Sequence, residues 1–269
     1  MYCDKIKEIS RDIKEWVYYQ PSVNEESVTD RLLYSLSREV PGVYYRSFTR
    51  HEEARKTGAD WERWILFNGG SYKLRVQAKK EKKDNYPSIA YTNKHGLQIE
   101  KLLNDSLAVN ALPFYAFYSA SNNKTMCAHG ITDEGVYLTS AQGLYDNYIV
   151  GTRKKVDISD IMIKSNPLSC FFCCPLLKHN TVSGFEDYLD RYFGDIDYSS
   201  IVESDAYNDN NMVNFDRIGY HEKSPRYVEE IISNEIYHET YESEYSRYIQ
   251  GVDGILVIDN RNKEEDFED

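Results

Sequence analysis

Two extended runs joined by a turn suited to a hairpin narrow the folds open to this chain more than any other feature. Residues 60–67 and 72–80 flank Asn68-Gly69-Gly70-Ser71. Glycines in such a link supply the positive φ that a tight turn between antiparallel strands requires. In the second run Tyr72, Leu74, Val76 and Ala78 share one face, and Lys73, Arg75, Gln77 and Lys79 share the other, because successive strand side chains alternate. One face is therefore expected to be core and the other wholly polar. A turn centred near Gly69 makes paired positions sum to about 139, which sets Asp60 opposite Lys79 and Glu62 opposite Gln77. Cross-strand β-carbons lie roughly 4.5–5.5 Å apart, so a carboxylate, an amide and an ammonium are expected to converge.

The rest of the chain supplies layers for that hairpin. Ile6, Ile9, Ile13, Trp16 and Val17 recur at helical spacing and predict a helix over 4–19, ended by Pro21. Ser22 and Asn24 offer caps for a second helix over 25–38, striped by Val28, Leu32, Leu33 and Leu36. Pro41-Gly42 stops it, and a strand follows over 43–48. After a polar turn at 84–88, a helix over 96–110 carries Leu97, Leu102, Leu103 and Leu107, and Pro113 opens an aromatic strand over 114–118. This order predicts an α/β fold, a mixed central sheet flanked by helices. Further on, 121–165 alternate turns and short strands, 185–193 and 226–239 read as helices, 198–211 as loop and 254–259 as a final buried strand. The expected organisation is a core over 1–120 and a C-terminal extension over 121–269 packed on it.

Composition limits the partners. Against 32 Lys and Arg stand 44 Asp and Glu, a net charge of −12, which argues against a cationic coat for nucleic acid. The acids gather at 203–209 and 263–269, while Lys73, Arg75, Lys79, Lys80, Lys82 and Lys83 form one basic run and Arg153, Lys154 and Lys155 another. No 18-residue apolar stretch offers a membrane span, and the first residues lack the apolar centre of a signal peptide. Five cysteines fit a reducing compartment better than a disulfide framework, so a cytoplasmic location is expected. Cys170, Cys173 and Cys174, with Cys127 and His129 far off, make one knuckle around bulky apolar residues, where structural zinc takes four ligands; buried cysteines are the expectation. His51, His95, His221 and His238 show no triad spacing.

The convergent group on the hairpin suits phosphodiester hydrolysis. An aspartate binds Mg²⁺, a hard cation that prefers oxygen. The Gln77 side-chain carbonyl can add a second oxygen and the peptide carbonyl after it a third. Lys79 can hold the attacking hydroxide or neutralise charge in the transition state. The bland alternative is a solvated hairpin face with cross-strand ion pairs worth a few tenths of a kcal/mol.

Gly58-Ala59-Asp60 followed by Val76-Gln77-Ala78-Lys79 resembles the signature of the PD-(D/E)XK, or restriction-endonuclease-like, nuclease superfamily in a Q-x-K form. Thr57-Gly58-Ala59-Asp60-Trp61-Glu62-Arg63-Trp64 with Gln77-Ala78-Lys79-Lys80 is further similar to bacterial proteins of phage-defence settings reading TGADWEWW and QAK. The likeness spans residues 22–120, including Leu112-Pro113-Phe114-Tyr115-Ala116-Phe117-Tyr118. It implies a restriction-endonuclease-like core, Mg²⁺- or Mn²⁺-dependent cleavage of nucleic acid, DNA before RNA, and a role in antiviral defence. It also implies a metal-facing glutamate on the first core helix. Glu25 shares the stripe of Val28 and Leu32 and is favoured over Glu26, which is rotated away. The metal ligands implied are thus Asp60, Gln77 and Glu25, with Lys79 catalytic. Gln98, on the helix after the lysine strand, joins Lys80, Lys82 and Lys83 as the expected nucleic-acid contacts. A homodimer or a partner protein is expected to supply recognition. Two departures stand out: Gln77 replaces the commoner acid and removes a negative charge from the metal site, and Ala59 replaces proline. They leave room for a catalytically silent fold that binds nucleic acid or protein.

Overall fold

A computed structural model describes residues 2–48, 58–82, 86, 89, 92–93, 96–121, 125–127, 130–149, 158–174, 177, 180–194, 217–233 and 251–261. In chain order the elements are α1 (Tyr2–Tyr19), α2 (Glu25–Glu39), β1 (Val43–Ser47), β2 (Trp61–Phe67), β3 (Gly70–Lys80), β4 (Thr92–Asn93), β5 (Gly96–Leu97), α3 (Gln98–Ala108) and β6 (Leu112–Tyr118). They continue with β7 (Thr125–Cys127), β8 (Gly130–Thr132), β9 (Val136–Ser140), α4 (Ala141–Leu144), a π-turn at Tyr145–Ile149, α5 (Ile158–Ile163), β10 (Asn166–Pro167) and α6 (Cys170–Cys173). Last come α7 (Val182–Phe193), β11 (Tyr220–His221), α8 (Arg226–Ser233) and β12 (Gly254–Asp259).

The central sheet runs β1-β12-β2-β3-β6-β9-β10, with β11 on β3. The β12/β2 and β3/β6 pairs are parallel and the rest antiparallel. The fold is therefore α/β, a mixed sheet flanked by helices. β12 inserts between β1 and β2, so residues 121–269 supply β9, β10 and an interior strand to the sheet begun by residues 1–120.

Both sheet faces are covered. On one, Leu74, Val76 and Ala78 pack with Ile6, Ile9 and Ile13 of α1 and with Val28, Leu32 and Leu36 of α2. On the other, Trp64 and Leu66 pack with Ile99, Leu102 and Leu103 of α3 and with Tyr227 and Val228 of α8. The second face of β3 is polar as expected, but it is not the solvated face of the bland alternative: Lys73, Arg75, Gln77 and Lys79 are all buried. An alternating strand in a two-sided sheet places its polar residues under a second layer of helices.

The hairpin register also differs from the expected one. Phe67 pairs with Gly70 and Trp61 with Val76, because the turn is the two residues Asn68 and Gly69, with Gly69 at φ 98°. Gly70 already belongs to the strand. The ladder is thus shifted, Asp60 comes beside Gln77 rather than Lys79, and Glu62 pairs with Arg75 rather than Gln77.

A disulfide joins Cys3 of α1 to Cys173 of α6, contrary to the expectation of unpaired cysteines. α1 packs against α6, and the two Cα atoms come 5.8 Å apart, within reach of a bridge; a sequence separation of 170 residues gives no hint of it. Cys170 and Cys174 are buried and lie outside that bridge. Among the described residues no helix is long and apolar enough to cross a membrane. Lys83, His51, His95, His129, His238, Arg153–Lys155, the acidic segments 203–209 and 263–269, the loop 198–211 and the helix beyond 233 lie outside the described residues.

Candidate active site

Asp60 stands immediately before β2 and is fixed through its backbone. Its N–H donates to Val76 O at 2.9 Å, and its carbonyl accepts from Asp253 N–H at 2.7 Å. Gly58, at φ 75°, lets the approaching chain touch α3: a β-carbon there would lie 2.9 Å from Leu102 N and 3.0 Å from Gln98 O. That combination of positive φ and close approach needs glycine. Beyond its pairing with β2, β3 continues along β6, with Gln77 beside Tyr115 and Lys79 beside Phe117.

The side chains form one connected cluster. Asp60 Oδ2 accepts from Gln77 Nε2 at 2.5 Å and from Ala78 N–H at 2.7 Å. The same Gln77 Nε2 reaches Ala78 O at 3.1 Å, while Gln77 Oε1 accepts from Gln98 Nε2 at 2.7 Å. Gln98 is the first residue of α3 and Glu25 the first of α2. Glu25 Oε2 accepts from Lys80 N–H at 2.6 Å, and its Oε1 lies 3.7 Å from Lys79 Nζ. Burial pushes the Asp60 carboxyl up to about 7, against the pull of Lys79 and the Ala78 N–H; Glu25 and Asp253 raise it further.

Asp60, Gln77, Lys79 and Glu25 are thus gathered from three elements. Glu26 instead faces a cleft it shares with Asp30, Tyr45, Trp61, Asp60 and Asp253. The expected nucleic-acid contacts divide. Lys80 is corrected: its Nζ donates to Pro21 O and Val23 O, each at 2.6 Å, and it is buried. It shares the Ala78 face of the strand, so alternation turns it toward the α1–α2 loop. Lys82 is exposed. Gln98 is half-buried behind Gln77 and orients its amide.

Glu62 does not join the group. It is fully buried, accepts from Trp64 Nε1 at 2.6 Å and Tyr227 O–H at 2.7 Å, and sits 3.2 Å from both Lys73 and Arg75. The polar face of β3 is therefore two clusters, one of Glu62 with Lys73 and Arg75 and the other of Asp60 and Glu25 with Lys79. His221 belongs beside the first, with its ring 4.9 Å from Trp64 and its Nε2 at Asn110 O.

Two residues at the site escaped the sequence reading. Asp253 holds the Asp60 carbonyl and its charge bears on the Asp60 carboxyl; it comes from the far end of the chain, with no motif to mark it. Tyr115, next to Gln77 on β6, has a buried hydroxyl with no hydrogen-bond partner among the described residues. Its alternation with the core positions of the strand hid it.

The donor set can be tested against a hard divalent cation. Among the described residues no three His, Cys, Asp or Glu side chains gather as a metal site. What does gather is one carboxylate oxygen, one amide and the Ala78 carbonyl, both oxygens already turned to a single electropositive nitrogen. Oxygen donors of this kind, completed by waters, fit Mg²⁺ or Mn²⁺. Glu25, engaged by Lys79 and the Lys80 N–H, is set to orient the lysine.

No curated protein and no solved structure matches the chain. A family model does, over residues 2–264, and the chain belongs to that family: DUF6615, a family of unknown function.

Proposed function

From that membership, which assigns no activity, we propose that the chain is a cytoplasmic, metal-dependent nuclease with a restriction-endonuclease-like core, hydrolysing phosphodiester bonds of DNA in antiviral defence. One observation carries the reading: Asp60 Oδ2, the Gln77 amide and the Ala78 carbonyl meet at one point, with a buried lysine beside them. Asp60 supplies the charge that retains a cation, and Gln77 and Ala78 supply neutral oxygens. Mg²⁺ or Mn²⁺, when bound, contributes Lewis acidity and a hydroxide at neutral pH. The ammonium of Lys79, a residue 4% exposed, meets charge developing on the phosphate in a place where water screens it little. Glu25 fixes that ammonium from α2.

The test is cleavage of plasmid, single-stranded DNA and RNA by purified protein, with Mg²⁺, Mn²⁺ or chelator. Metal-dependent cleavage supports the reading; cleavage that persists in chelator sinks it. A second reading, a silent nuclease-like fold that binds nucleic acid or protein, is favoured by the Gln77 nitrogen lying on Asp60 and by Lys80 being tied to backbone carbonyls. Binding without cleavage under every metal condition would establish it. Recognition through a homodimer or a partner protein is consistent with the net charge of −12.

A further inference from the structure

We propose that Gln77 and Gln98 form a two-amide latch that closes the site with protein groups and reverses as a unit when a divalent cation enters; this rests on the metal-dependent reading above. An amide has a donor end and an acceptor end, and the two are chemically opposite. In the closed state the donor end of Gln77 faces Asp60 Oδ2 and Ala78 O, at 2.5 and 3.1 Å. The amide nitrogen thus holds the two oxygens that a cation would claim. A cation cannot share that point with N–H groups. For Gln77 to become a ligand its carbonyl must turn inward.

That turn is coupled to α3. The Gln77 carbonyl now accepts from Gln98 Nε2 at 2.7 Å. Once Gln77 presents N–H to α3, Gln98 must present its carbonyl in return, or two donors face each other across a half-buried contact. An unmet buried polar group is costly, so both amides reverse or neither does. Gln98 is therefore a positioning residue that sets which end of Gln77 faces Asp60. The arrangement also explains why a glutamine suits this place: without a cation an acid beside Asp60 would repel it, whereas the amide satisfies it.

The chain has five glutamines, Gln20, Gln77, Gln98, Gln142 and Gln250, so side-chain amide spectra of protein labelled at glutamine nitrogen can be assigned by substitution. Without cation, a Gln77 proton held on the Asp60 carboxylate is expected far downfield. Saturating Mg²⁺ is expected to move it back and to shift the Gln98 pair with it. Calorimetry on the same sample reads binding independently. Heat of binding with an unmoved Gln77 resonance overturns the latch and leaves the metal reading intact. No binding at millimolar Mg²⁺ removes the metal reading and the latch together. As a second arm, Gln98→Glu can only accept, so it favours the reversed state. It is expected to lower Tm without cation and tighten Mg²⁺ binding by about 10-fold, the range seen for groups that orient a ligand. In the Gln77→Glu background, where no amide remains to reverse, that gain is expected to vanish; an equal gain there would mean charge alone is responsible and would also overturn the latch.

Discussion

Glu25 Oε1 lies 3.7 Å from Lys79 Nζ while Glu25 Oε2 accepts the N–H of the next residue, Lys80, so one carboxylate holds both the charge and the backbone of the β3 end. Lys79→Ala is expected to reduce kcat on the order of 10²–10³-fold, as losing one preorganised donor does, with much less effect on metal affinity. Glu25→Gln keeps an acceptor for the Lys80 N–H and is expected to cost less. Single-turnover rates beside Mg²⁺ titrations check this; equal losses in both quantities for Lys79→Ala would make the lysine a structural element.

The Asp60 carboxyl, raised from 3.8 to about 7 chiefly by burial, sets a pH dependence whose sign is fixed. The folded chain holds this proton more tightly than the unfolded chain, so the contribution of Asp60 to stability falls as pH rises from near 3.8 to about 7. Asp60→Asn is accordingly expected to raise Tm relative to wild type more at pH 8 than at pH 5. At sub-saturating Mg²⁺, where cation and proton compete for this carboxyl, cleavage is expected to climb between pH 6 and 8. Thermal melts and rate profiles across this range are the check; a flat profile would show that Asp60 does not titrate there.

Glu62 presents the opposite sign. Although burial opposes ionisation, Lys73, Arg75 and donors from Tyr227 and Trp64 hold its carboxyl below the usual range. Its stabilising contribution is present above the unfolded carboxylate pKa and is lost as pH falls through the lowered native value. Removing it takes away the carboxylate 3.2 Å from buried Lys73 and Arg75, so Glu62→Ala is expected to cost about 3–5 kcal/mol in urea unfolding. A loss under 1 kcal/mol would mean that Lys73 and Arg75 find solvent on their own.

Among the described members of the basic run, Lys82 is the exposed one. Lys82→Glu is expected to weaken DNA binding and to lower the slope of log affinity against log salt by about 1. An unchanged slope would place the phosphate track elsewhere.

What the sequence disclosed, and what it hid, follows from the range of each signal. The alternation from Tyr72 to Lys79 and the stripes of α1, α2 and α3 are local, and those elements formed there, except that Gly96 and Leu97, expected to open the third helix, form β5 and α3 begins at Gln98. Asp60, Gln77 and Glu25 were legible because the hairpin and a helix start constrain them directly. The register slipped because the choice between a two-residue and a longer turn rests on whether Gly70 already pairs with Phe67. The burial of Lys79 and Lys80, the Cys3–Cys173 bridge and the insertion of β12 all depend on residues far along the chain. No local pattern reports such contacts, and Asp253 beside Asp60 belongs to the same class.

The central claim is that Asp60 and its neighbours cleave phosphodiester bonds with a divalent cation. The most direct measurement compares wild type and Asp60→Ala, each shown to be folded by thermal melting, on plasmid DNA with Mg²⁺ or Mn²⁺ and with chelator. The account predicts cleavage by wild type that chelator abolishes and that Asp60→Ala lacks entirely. Cleavage by Asp60→Ala at the wild-type rate would contradict it and assign the activity to other residues.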